Sequence, residues 1–104
     1  MSAFISLLPA IYSSFPLDRT NTAGGTTGAQ TINKVAGSVN FAAAATSLVV
    51  TNNLVTTTSN IFCGVQTADA TAIIKNVVPG NGSFTINLSA AATAETRVAF
   101  LVTN

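Results

Sequence analysis

From Thr31 to the C-terminus, short runs rich in Val, Ile, Phe and Thr recur at intervals of roughly ten residues, divided by Gly, Asn, Ser or Ala-Thr stretches. Helices need longer segments with a 3.6-residue apolar period, so this punctuation is that of an all-β domain. The runs predict strands over Thr31–Val35, Ser38–Ala42, Ser47–Thr51, Ile61–Thr67, Ala72–Val78, Ser83–Leu88 and Thr96–Val102. The best-formed signal is Pro79-Gly80-Asn81-Gly82 between the fifth and sixth runs. Asn-Gly supplies the φ > 0 residues that a tight reversal favours, which predicts a hairpin. After it, Phe84, Ile86 and Leu88 alternate with Thr85 and Asn87, the pattern of a strand with one buried face.

The last run breaks that alternation. Val98, Ala99, Phe100, Leu101 and Val102 are apolar on both faces, so the strand either lies between two packed layers or meets another subunit. So small a body has difficulty covering both faces within one copy. The expectation is an oligomer with Val98, Ala99 and Leu101 at the subunit interface. The alanine runs Ala42–Ala45 and Ala90–Ala92 are too short to nucleate helices, and they read as tight connections or surfaces of close backbone approach. A single helical turn at Ala90–Ala94 is the alternative.

Ahead of the β pattern, residues 1–17 carry Phe4, Ile5, Leu7, Leu8, Ile11, Tyr12, Phe15 and Leu17, interrupted by Pro9 and Pro16. A membrane-spanning helix needs about 20 apolar residues, and Pro9 stops this run early. The positively charged start and small-residue cleavage site of a signal peptide are missing, so synthesis and maturation in the cytoplasm are expected. The segment reads as an extended apolar arm, joined to the body by the glycine-rich Gly24–Gly28. The organisation expected is an arm with its joint over 1–27 and a body over 28–104. The fold expected is a small antiparallel β-sandwich, jelly-roll-like, with an extended N-terminal arm.

Charge narrows the function. The chain has 104 residues, with four Lys or Arg, three Asp or Glu, no His and a net charge of +1. No basic cluster offers the electrostatic footprint of nucleic-acid binding. Without histidine the commonest general base and metal ligand is missing, which argues against an enzyme. Cys63 is the lone cysteine and sits in an apolar run, so a core role is expected of it. Gly24-Gly25-Thr26-Thr27-Gly28 lacks the Gly-Lys-Ser/Thr that completes a phosphate loop. No cofactor, catalytic residue or metal ligand is expected. Asp69 reads as a turn or cap residue, while Glu95 and Arg97 lie on one strand face and are able to pair with each other or across a subunit boundary. Phe41, Phe62, Phe84 and Phe100 all read as core. Abundant Thr and Asn clothe the strands with neutral, hydrogen-bonding side chains, a surface suited to a crowded assembly.

Several segments carry a resemblance. Gly28-Ala29-Gln30-Thr31-Ile32-Asn33-Lys34, Gly37-Ser38-Val39-Asn40-Phe41-Ala42-Ala43 and Thr46-Ser47-Leu48-Val49-Val50-Thr51-Asn52 resemble short structural proteins of tailed bacteriophages. So do Val78-Pro79-Gly80-Asn81-Gly82-Ser83-Phe84-Thr85-Ile86, Ala91-Ala92-Thr93-Ala94-Glu95-Thr96 and Val98-Ala99-Phe100-Leu101-Val102. Similar modules serve as capsid decoration (cement) proteins and as terminal pieces of tail-fibre proteins. The resemblance covers residues 28–104. It implies a β-rich homotrimer in the virion, on the outer capsid surface, with the major capsid protein as partner and without catalysis, nucleic acid or membrane. The arm residues Phe4, Ile5, Leu7, Leu8, Ile11, Tyr12, Phe15 and Leu17 would then contact the capsid. A tail-fibre or tail-tip module that binds the host cell surface is the alternative.

Overall fold

The computed structural model describes residues 18–69 and 71–104. Eight strands follow one another: β1 (Arg19–Asn21), β2 (Gln30–Thr31), β3 (Ala36–Phe41), β4 (Ser47–Thr51), β5 (Asn60–Val65), β6 (Ile74–Gly80), β7 (Ser83–Leu88) and β8 (Thr96–Thr103). They form two four-stranded sheets, ordered β1-β3-β8-β5 and β2-β4-β7-β6. No helix occurs among the described residues. The architecture is an all-β sandwich.

The six long strands pair antiparallel, β3 with β8, β8 with β5, β4 with β7, and β7 with β6. The two short N-terminal strands depart from the wholly antiparallel expectation. β1 lies parallel to β3 and β2 parallel to β4, which makes both sheets mixed. Parallel neighbours require a crossover, and here each crossover runs through a strand of the opposite sheet. The nested pairing of β3 with β8 and β4 with β7 is that of a reduced jelly roll. Among the described strands only β6–β7 is a hairpin within one sheet.

Alternation explains the core. Leu48 and Val50 of β4 and Phe84, Ile86 and Leu88 of β7 are buried on one face. Across from them lie Val39 and Phe41 of β3 and Val98, Phe100 and Val102 of β8. The rings of Phe84 and Phe100 meet edge to face at 5.1 Å and 63°, joining the sheets at the centre. Gly37 sits under the Phe100 ring and against the Thr20 carbonyl of β1, where a Cβ would lie 3.0 Å from Phe100 Cε1 and Cζ.

The expected Asn-Gly hairpin forms, with a single left-handed residue in its two-residue loop. Gly80 pairs with Ser83, and of the two loop residues only Gly82 has positive φ, at 80°. That is the requirement of a type II turn, which needs one left-handed residue and not two. The tip is also docked: Gly82 N–H donates to Val55 O at 2.9 Å, and Asn52 N–H donates to Gly82 O at 2.9 Å. The alanine runs meet as surfaces of close approach. Ala44 N–H donates to Ala92 O at 2.7 Å, and Ala92 N–H donates to Ala45 O at 3.1 Å. Ala44 reaches this contact with φ of 70°.

β1 lies inside the stretch read as arm and joint, so the first sheet begins at Arg19. The proposed arm residues Phe4, Ile5, Leu7, Leu8, Ile11, Tyr12, Phe15 and Leu17 lie outside the described residues.

Candidate interaction surfaces

The acidic side chains act as ties between loops. Asp69, after β5, accepts from Thr71 N and Oγ1 at 2.9 and 2.8 Å and from Thr93 N and Oγ1 at 3.2 and 2.8 Å. These four donors, the Thr71 backbone N–H foremost, hold its carboxyl well below the usual carboxylate range. The turn role expected of Asp69 is therefore joined by a second one, fastening the β5–β6 connection to the β7–β8 connection. Glu95 does not pair with Arg97. Both of its oxygens accept from Gly25 N, at 3.1 and 2.9 Å, which anchors the glycine-rich loop. Asp18 pairs with Lys34 Nζ at 3.0 Å beside the start of β1.

Buried asparagines do similar work without charge. Asn40 Nδ2 donates to the carbonyls of Ala23 and Thr26, each at 3.0 Å. Asn52 is fully buried, donating to Lys34 O at 2.7 Å and accepting from Leu54 N at 2.9 Å. A buried amide left unpaired would cost about 1–3 kcal/mol, so both are held by their partners.

Cys63 faces inward from β5, against the core, and burial pushes its thiol up to about 12. Such a thiol is a poor nucleophile at neutral pH. Among the described residues no three Cys, Asp or Glu side chains converge as metal ligands, and no helix is long and apolar enough to cross a membrane.

What remains is surface. β8 is central in its sheet and recovers the alternation that its sequence hides. Val98, Phe100 and Val102 are buried, while Ala99 and Leu101 stand half-buried on the outer face. This corrects the expectation for Val98, whose side chain is enclosed in the core of one copy and offers nothing to a neighbour. Ala99 and Leu101 keep an outward aspect. Phe62 of β5 pairs with Leu101 and is 62% exposed, which corrects its assignment to the core. Its neighbour Gly64 pairs with Ala99. Phe62, Leu101, Gly64 and Ala99 thus form an uncharged apolar patch. Ser38, opposite Ala99, is fully buried, and its hydroxyl has no hydrogen-bond partner among the described residues. On the other sheet Val49 and Val78 are exposed at 42% and 51%, flanking Thr85.

The exposure of Phe62 had one sequence signal, the small Gly64 two positions on, which leaves that face of the strand thinly covered. No family model, curated protein or solved structure matches the chain.

Proposed function

We propose that this chain is a structural virion protein, a capsid decoration (cement) protein of a tailed bacteriophage. It binds the outside of the head as a homotrimer and stabilises contacts between major capsid subunits. The observation that carries the reading is the apolar patch of Phe62, Leu101 and Ala99 on a sandwich whose faces are almost free of charge. Besides this surface, the sequence supplies eight large apolar side chains within residues 1–17.

Burial of each such side chain gains about 1.5–3 kcal/mol, and ordering each residue of the segment costs about 1–2 kcal/mol. One segment alone gains little from this balance. Three acting together on a trimer gain from effective concentration and hold firmly. Deleting residues 2–17 tests the reading on capsids assembled without the protein. Loss of loading is expected, and loading at full occupancy would overturn it. Exposed Phe62 favours the alternative, a tail-fibre or tail-tip module that binds the host surface, because aromatic platforms are common in sugar recognition. Copy number separates the two. Occupancy in proportion to the major capsid protein marks a shell component, and a small fixed number marks a tail part.

A further inference from the structure

We propose that the free edge of β5 is a two-fold pairing site for a second copy of this chain. The backbone geometry identifies which groups are open. Gln66 N–H donates to Arg97 O at 2.8 Å, and Val102 N–H donates to Val35 O at 2.7 Å. Alternation of the antiparallel ladder then turns the backbone groups of Asn60, Phe62 and Gly64 toward β8. Those of Ile61, Cys63 and Val65 point away from the sheet, and no described residue donates to them or accepts from them.

The other sheet edges carry the devices that discourage strand addition. β1 and β2 have three and two residues. β6 has a register shift between Ile74 and Asn76, places Lys75 in it, and carries Pro79. Short strands, bulges, lysine and proline are the recognised means of blunting an edge. β5 has six residues in unbroken register, with no charge and no proline. It is the one long edge among the described strands that carries none of these devices in its own sequence or register.

Its sequence is complementary to itself. Antiparallel pairing about Cys63 sets Ile61 against Val65 of the partner subunit on the inner face. On the outer face it sets Phe62 against Gly64 of the partner subunit. The single aromatic of the strand thus covers the single glycine, a cross-strand match that stabilises edge glycines. No like charges are brought together. The two sheets become one continuous sheet, and the symmetric contact closes on itself. Paired six-residue strands span only about 20 Å and fall short of the about 800 Å² per partner of a standard interface. The pairing is therefore weak and depends on protein concentration. It stands apart from the capsid reading and survives if that reading fails.

Gly64→Lys in the full chain tests it. Gly64 has no left-handed φ, and a Cβ there meets only Gln66 Nε2 at 3.5 Å, so the fold tolerates the change. In wild type, hydrogen exchange at Ile61, Cys63 and Val65 is expected to slow as protein concentration rises, by at least about tenfold, the equivalent of 1.4 kcal/mol. The weight-average mass is expected to rise with it. In Gly64→Lys both effects disappear while the melting temperature is kept. Exchange at these amides that is independent of concentration in wild type would overturn the proposal. So would a Gly64→Lys variant that associates as wild type does.

Discussion

Replacing Gly37 by Ala should loosen the N-terminal strand from the sandwich. A Cβ at position 37 would collide with the Thr20 carbonyl oxygen and press on Phe100 Cε1 and Cζ at 3.0 Å. The obstacle is backbone on one side and a core ring on the other, so neither yields cheaply. If the ring and strands shift together, the cost is that of overpacking, about 1–3 kcal/mol. If β1 lifts off instead, its three-residue pairing with β3 is lost, together with the bond from Thr22 N–H to Ser38 O at 3.0 Å. At about 1 kcal/mol net per ladder bond that is about 3 kcal/mol, less about 0.5–1 regained by removing a strand glycine. Both routes converge on about 2 kcal/mol. A domain of this size loses about 4–8 °C per kcal/mol, so the melting temperature should fall by about 8–16 °C. Thermal melts by circular dichroism measure the fall, and hydrogen exchange at the Thr22 amide reports the strand. Gly64→Ala is the control, expected within about 0.5 kcal/mol because its Cβ meets only a flexible side chain. An unchanged melting temperature in Gly37→Ala would refute the steric argument. A fall in melting temperature with Thr22 still fully protected would refute the detachment of β1.

Two further predictions concern the loops. Asp69 has a folded-state pKa depressed below the unfolded value of about 3.9, so its contribution to stability is fully present above that value and is lost as pH falls toward the folded one. The amides of Thr71 and Thr93 should therefore keep their chemical shifts from neutral pH through the ordinary carboxylate range, moving only below it. Movement centred near the ordinary carboxylate value would show that the four-donor tie is not formed in solution. Ala44 holds φ of 70°, a conformation costing a non-glycine residue about 1–2 kcal/mol, whereas glycine adds about 0.5–1 kcal/mol of unfolded-state entropy. Ala44→Gly should stabilise by up to about 1 kcal/mol in denaturant titration, and a clear loss would mean that the Ala42–Ala45 turn relaxes in solution.

The strands most legible in the sequence are those whose burial is one-sided. Ser47–Thr51 and Ser83–Leu88 match the expected bounds because Leu48, Val50, Phe84, Ile86 and Leu88 alternate with polar residues. β1 left no such trace. Arg19, Thr20 and Asn21 are all exposed and polar, and they are strand only because β3 lies beside them. β5 and β8 were legible as strands but not as faces. In Ile61-Phe62-Cys63 and Val98-Ala99-Phe100-Leu101 every side chain is apolar, so nothing local says which half turns inward. Cross-strand register decides it, placing Phe62 and Leu101 outside and Cys63 and Phe100 inside. The glycine-rich joint was visible, but its anchor was not, because Glu95 lies 70 positions away from Gly25.

The placement of charge gives the small number of ionic groups a structural meaning. All three acidic side chains are committed at connections or strand starts: Asp69 across two loops, Glu95 to the Gly25 amide, and Asp18 to Lys34. Each tie joins segments distant in sequence and lies off the sheet faces. The strands carry no acidic side chain, and their only cations are Arg19 in β1, Lys75 at the β6 register shift and Arg97 near the start of β8, which leaves most outward positions neutral. Exposed ion pairs contribute at most about 1 kcal/mol each, so stability alone does not require this arrangement. A surface that must lie against copies of itself or another protein gains from it directly, because a buried unpaired charge is costly at an interface. Neutral faces with charge-tied loops are thus the form expected of a body whose sheets make the contacts and whose ends hold their shape.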